Sequence, residues 1–267
     1  SREASGPPRR RGLPLAIPVA GGLLLLCLCA AGIGAVAISP VEAAAVLLAQ
    51  LGWAPAVDAT HEAVLLGIRL PRVALGAMQG ALLACSGALL QGLFRNPLAD
   101  PGLLGTSGGA MFAAAAWTVL GAPLLPASGW WALPVAAFAG ALVGTLLVLR
   151  LGSAAGGEGA GLLLLAGIAV NAIAFAGTSL FLFLADDAQL RSITFWSLGS
   201  LGASNWTLVL ALLVPVAILG AALPFLAPRL DALLLGAREA GHLGVKVPAL
   251  QLQLVCGTCP VIGGDLI

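Results

Sequence analysis

The stretch RLPRVALGAMQGALLACSGALLQGLFRNPLADPGLLGTSGGA, Arg69 to Ala110, decides how this chain folds. From Val73 to Phe94 it contains no Asp, Glu, Lys or Arg, and the run is close to the ~20 apolar residues that cross a hydrocarbon core. Arg69 and Arg72 stand before it and Arg95 after it. Its glycines sit inside the apolar run, where Gly lets neighbouring helices approach closely.

The whole chain repeats this character. Of its residues 60% are hydrophobic and only 9% charged, against about a quarter charged in soluble domains. A large core does not explain the gap, because a soluble surface still has to be polar. A bilayer supplies the apolar solvent that such a composition requires. The net charge of +1 gives no reason to expect nucleic acid. With no Tyr in the chain, an interfacial aromatic belt has to use Trp53, Trp117, Trp130, Trp131, Trp196 and Trp206. Cys27, Cys29 and Cys85 read as small apolar residues, and Cys256 and Cys259 form a lone C-x-x-C without a second pair.

Six spans are expected, at 13–38, Val73–Phe94, Gly102–Gly121, Trp131–Leu149, Gly161–Leu184 and Trp206–Ala227. The first follows Arg9-Arg10-Arg11 and is too long for a signal-peptide core. Residues 1–12 form a tail, 13–227 hold the spans, 229–247 form short surface helices, and 248–267 read as a divergent remnant of a further span. Alternation from a cytoplasmic N-terminus places Arg2, Arg9, Arg10, Arg11, Arg95, Arg150, Arg229, Arg238 and Lys246 inside. Only Arg69, Arg72 and Arg191 fall outside, the asymmetry that the positive-inside rule demands. Outside the spans, 40–62 predicts a short amphipathic helix and a turn, and 189–204 a short helix ending at Gly199-Ser200-Leu201-Gly202. The expected fold class is all-α, a polytopic transmembrane helical bundle.

Three ordered blocks resemble the FecCD-type permeases that import iron-siderophores, haem and cobalamin. They are Arg69–Ala110, then Leu163–Leu184 with Phe195–Trp206, then Leu230–Gly244. The wording Asn96-Pro97-Leu98-Ala99-Asp100-Pro101-Gly102-Leu103-Leu104-Gly105 looks closest to haem and cobalamin members, and haem is favoured. The resemblance implies the type II ABC importer permease fold. It also implies a second permease copy in a homodimer, two ATP-binding subunits that hold ATP and Mg, and a periplasmic substrate-binding protein, all at the bacterial inner membrane. No cofactor is expected in this chain, and haem enters as substrate. No His or Tyr lies in a span to ligate it axially.

Placed on this sequence, the resemblance makes Arg69 and Arg72 the cations that receive acidic residues of the binding protein. The alternative is that both simply snorkel at the interface. It makes Leu235, Gly236, Arg238, Glu239, Ala240, Leu243 and Gly244 the segment that seats on the ATPase, with Leu235, Ala240 and Leu243 filling its groove. Gln79, Ser86, Gln91, Asn171 and Thr178, with Ser179, are pathway candidates, though such groups equally hold helices together. Gln79 and Ser86 share nearly one helix face and Gln91 is displaced from it. Asn96 and Asp100 are expected to cap helices around Pro97.

A secondary transporter or channel is the reading from another class. Such proteins place ionisable residues in their spans, and the spans drawn above hold essentially none. No G-x-x-x-x-G-K-[ST] loop occurs, so ATP hydrolysis is expected of a partner chain. The family has about ten spans, and from about Gln253 the wording departs from its pattern, so the C-terminal part of the permease is expected to be missing here.

Overall fold

The computed structural model describes residues 13–53, 58–97, 99–125, 127, 129, 131–154, 160–202, 204–247, 249–254 and 257. Every regular element among them is a helix. The chain divides into two units, Ser1–Ala77 and Met78–Ile267.

In the first unit α1 spans Leu13–Gly32, and at 1.5 Å per residue its 20 residues reach about 30 Å. Of α1, Ile17–Gly32 is described side chain by side chain. The helix stops at Gly32 instead of running on to Ile38, and residues 33–39 are irregular. Next, α2 spans Pro40–Gln50 and opens on a capping box. The Glu42 amide donates to Ser39 Oγ (3.2 Å) and the Ser39 amide to Glu42 Oε2 (2.7 Å), while Pro40 occupies the first turn, where its missing N–H costs nothing. Then α3 spans Ala59–Val64, capped by Asp58 Oδ1, which accepts from the Thr60 amide at 2.8 Å. It continues without interruption through a π turn, Leu65–Arg69, into α4, Leu70–Phe94.

That π turn has a local cause. Pro71 has no N–H to donate, and its ring would crowd the carbonyl of Gly67 in a regular α-helix. Widening the preceding turn, with the Leu70 amide donating to Leu65 O, relieves the crowding. The second span therefore begins well before the expected Val73: the apolar helical run is Ala59–Phe94. Ala31, Ile38, Val46 and Leu65 form the core of this unit.

In the second unit α4 ends in a Schellman motif. The Asn96 amide donates to Gln91 O and the Arg95 amide to Gly92 O, with Arg95 left-handed at φ 49°. Asp100 then caps a 3₁₀ turn, Pro101–Leu104, through the Gly102 amide at 2.7 Å. After Gly105 (φ 80°) α5 spans Thr106–Ala116, so the third span starts four residues later than the expected Gly102. A second π turn, Trp117–Gly121, leads into a single turn α6, Ala122–Leu124. Pro123 stands after it as Pro71 stands after the first, and the same crowding argument applies.

The remaining long helices are α7, Ala132–Ala154, α8, Ala160–Leu184, and α10, Trp206–Leu234. Between the last two lies α9, Asp187–Leu198, which starts at Asp186 on a second capping box. Among the described residues five helical runs are long and apolar enough to cross a membrane, Ala59–Phe94, Thr106–Leu124, Ala132–Gly152, Gly161–Leu184 and Trp206–Leu234, while the described part of α1, Ile17–Gly32, is a shorter apolar helix.

The centre of the second unit is built from glycine. Gly105 and Gly109 on one side meet Gly144 and Gly140 of α7 on the other, so the two helices are antiparallel. A Cβ on Gly105 would lie 2.9 Å from Gly144 O, and a Cβ on Gly109 would overlap Gly140 O. No side chain other than hydrogen fits between these backbones. In lipid, where burial gives no drive between helices, such contact supplies the van der Waals attraction instead. On the next turns Ala110, Ala114, Ala137 and Ala141 continue the seam, and Trp196 of α9 packs against it. Trp196, partly buried, thus contributes to packing.

At the end carrying Arg95, Arg150 and Arg229 the core is larger in side chain. Leu89, Leu90, Leu93 and Phe94 of α4 pack with Leu104, Val148, Leu233 and Leu254.

Candidate functional site

Three places hold the residues that the sequence singles out. The first is the RLPR motif. Arg69 is buried, at 8% exposure, and its guanidinium closes the broken end of α1. Nη1 donates to Ala31 O (3.0 Å) and Gly32 O (2.8 Å), and Nη2 donates to Val36 O. The last carbonyls of a helix have no partner within it, and a planar five-donor fork can serve several at once. The π turn sets Arg69 in place for this. Gly34 leaves the room, since a Cβ there would lie 2.5 Å from Arg69 Nη2. Nη1 and Nη2 of Arg69, expected to face a binding protein, thus both donate to carbonyls of its own chain. Arg72 is exposed.

The second place is the end of α10. This helix does not stop at Ala227 but runs to Leu234, so Arg229 and Asp231 belong to it and not to a separate surface helix. Arg229 Nη1 donates to Gln253 Oε1 at 3.4 Å. Gly236 (φ 127°) turns the chain into α11, Ala237–His242. A Schellman motif at Gly244 (φ 85°) ends it, the Val245 amide donating to Ala240 O at 2.9 Å and the Gly244 amide to Gly241 O at 3.0 Å.

Ala240, at 0% exposure, packs inward on the core of the second unit. It cannot fill a partner's groove, contrary to expectation. Leu235 and Leu243, at 68% and 63% exposure, stand outward on either side of α11, and Glu239 is exposed between them. The side chain of Arg238 lies outside the described residues, as do Cys256, Cys259, Trp130 and the arginines before residue 13.

The third place is the set of polar groups within the spans. Asn171 of α8 is a clamp. Its Nδ2 donates to Gly102 O (2.8 Å), and its Oδ1 accepts from the Gly108 amide (3.0 Å). The residue before α5, Gly105, has no side chain to cap that helix, so Asn171 caps it from across the bundle. Thr106 Oγ1 donates to Pro101 O at 2.6 Å and ties the same break from within.

Thr178 is buried and donates to Ala174 O, and Ser179 donates to Phe175 O. Gln91 Nε2 donates to Pro97 O at 3.1 Å. Ser86 is wholly buried, and its Oγ has no hydrogen-bond partner. Gln79 is half-buried. Asn171 thus ties α8 to the start of α5, whereas the hydroxyl of Thr178 is taken up by a carbonyl of its own helix. Asp100 caps as expected, while Asn96 follows the end of α4, its carbonyl accepting from the Ala99 amide.

Sequence reasoning missed the glycine seam. Its signal was in view, as Gly105-x-x-x-Gly109 and Gly140-x-x-x-Gly144 are both small-x-x-x-small patterns. The described residues hold no group of three or more His, Cys, Asp or Glu placed to bind a metal.

The comparisons with known proteins agree with this architecture. The hemin transport system permease protein HmuU of Yersinia pestis is 38% identical over 244 residues, 90% of this chain and 69% of its own length. The ferric enterobactin transport system permease protein FepD of Escherichia coli is 40% identical over 260 residues, covering 94% and 75%. The cobalamin import system permease protein BtuC of Halobacterium salinarum is 39% identical over 199 residues, covering 74% and 52%. An inward-facing metal-chelate type ABC transporter superposes with a TM-score of 0.73 at 26% identity, over 94% of this chain and 74% of that one. A sequence model of the FecCD transport family matches residues 22–264. With its glycine-seamed bundle of membrane-length helices, this chain belongs to the FecCD transport family, as a permease of the ABC importer class.

Proposed function

We propose that the chain carries haem across the bacterial inner membrane as one of two identical permease subunits. Two separate ATP-binding subunits drive it, and a periplasmic binding protein feeds it. The observation that carries the substrate is likeness to a hemin permease over 90% of the chain, together with the Asn96–Gly105 wording. The similar identity to a ferric enterobactin permease favours a second reading, a ferric siderophore as substrate. The N-terminus lies in the cytoplasm, which sets Arg95, Arg150 and Arg229 on the ATPase side and Arg69, Arg72 and Arg191 on the binding-protein side.

Docking of the ATPase rests on Leu235 and Leu243. Two large apolar side chains stand exposed on either side of a six-residue helix whose Ala240 is fixed in the core. Such an arrangement lets a partner grip α11 and move the core behind it. Arg72 supplies the docking cation on the opposite side, and Arg69 holds the scaffold beneath it.

Reconstitution with the ATPase and cognate binding protein in ATP-loaded liposomes tests the reading, with haem, a ferric siderophore and cobalamin offered in parallel. ATP-dependent accumulation of haem alone supports it. Accumulation of another ligand retains the importer and discards haem.

A further inference from the structure

The long apolar groove of the second unit lies between α5 and α7, with Val170, Ile173 and Ala174 of α8 at its edge, and encloses about 850 Å³. Its floor is backbone, since Gly109, Gly140 and Gly144 present no side chains, and its walls include Phe112, Trp117 and Val143. Along α7 the lining runs from Ala136 to Leu151, a rise of about 22 Å. Ala136, Val143 and Arg150 recur at intervals of seven and therefore share one helix face.

Arg150 thus shares the helix face of Ala136 and Val143, next to the lining residues Leu147 and Leu151, and it is exposed. From Arg150 back to Gly140 is about 15 Å, half of a ~30 Å hydrocarbon core and so the depth of one leaflet. Trp131, exposed at the other end of α7, marks the opposite interface.

We propose that this groove is a seat for one anionic phospholipid, its acyl chain along Gly140, Val143 and Leu147 and its phosphate on Arg150. The apolar trough takes any acyl chain, and the guanidinium at its end selects the anionic headgroup, because Arg pairs bidentately with phosphate oxygens. A basic residue at an anionic surface contributes roughly 1 kcal/mol, which corresponds to about fivefold in affinity. The seat lies wholly within the second unit and does not depend on the transported substrate.

The test is lipid retention by the purified chain, read by native mass spectrometry after exchange from detergent containing phosphatidylglycerol or phosphatidylcholine. The expected result is one phosphatidylglycerol retained about fivefold more strongly than phosphatidylcholine. Arg150→Gln removes the preference and Arg150→Lys keeps part of it. Val143→Trp, from a wall position 57% exposed, lowers retention of either lipid while Arg150 is intact.

Equal retention of the two lipids by the wild-type chain overturns the proposal. So does a preference that survives both Arg150→Gln and Val143→Trp. Efficient disulfide cross-linking of Val143→Cys between two copies overturns it as well, because a second chain then fills the groove.

Discussion

Replacing Arg69 by Ala removes the fork that closes α1. Three carbonyls, those of Ala31, Gly32 and Val36, lose their donor together. Each charge-assisted bond is worth ~1.5–3 kcal/mol in isolation and they do not add, while each carbonyl left buried without a donor costs about 1–3 kcal/mol. A total of about 3–6 kcal/mol is the reasoned cost, at roughly 1–2 for each of the three carbonyls left without a donor. The loss is local, so the last turn of α1 and residues 33–39 should lose protection in hydrogen exchange while α7 and α8 keep theirs. Arg69→Lys keeps the charge but not the planar fork, and should recover less than half. Arg72→Ala, at the exposed arginine three residues later in the same motif, should leave exchange unchanged and weaken binding-protein affinity. Wild-type exchange in Arg69→Ala, with binding-protein affinity abolished, would refute the clamp and return Arg69 to the docking surface.

Four further outcomes follow from the same geometry. Asn171→Ala removes a bridge with one donor and one acceptor from across the bundle and should cost about 2–4 kcal/mol in detergent unfolding, at roughly 1–2 for each group left unpaired. Arg95→Gly should stabilise by about 0.5–1 kcal/mol in the same assay, because a left-handed position suits Gly better than Arg even after its chain-entropy cost. Gly140→Leu should prevent close assembly of α5 and α7, seen as loss of monodisperse protein on size exclusion, since a side chain there overlaps Gly109 O.

The fourth outcome concerns pH. Hydrogen bonding from the Ser39 amide holds the Glu42 carboxyl below its ordinary value, and the Thr60 amide does the same for Asp58. A lowered folded-state value stabilises above the unfolded pKa and is lost as pH falls through the folded one. Melting profiles of wild type and Glu42→Gln should therefore differ near neutrality and converge below about pH 4.

Much of the bundle was legible because a membrane imposes a length on apolar runs, and α8 lies within a residue of its expected bounds. Boundaries failed where polar residues continued a helix. Arg229 and Asp231 look like the start of a loop, yet helical hydrogen bonding does not depend on side-chain charge, and α10 carries them past the apolar run. The early start of the second span was hidden likewise by His61 and Glu62.

The site was less legible than the bundle. Motif likeness marked Arg69, but whether a guanidinium faces outward depends on where α1 breaks, and Gly32 and Gly34 reveal that only beside the folded chain. Asn171 reads alike as pathway or clamp, because a side chain with both donor and acceptor suits water and backbone equally. Only its partners, 63 and 69 residues away in the chain, decide.

The prolines inside α10 have a mechanical consequence. Pro215, Pro224 and Pro228 leave the carbonyls of Ala211, Gly220 and Pro224 without their helical donors. Bending stiffness in a helix comes from its ladder of axial bonds, so α10 is the compliant rod of the bundle. The α5–α7 seam is its opposite, two backbones in contact with no side chains between them to change rotamer. Under the docking proposed above, a push at α11 would meet a spring and an anvil: α10 would take up the strain by flexing, and the seam would move as one piece or not at all.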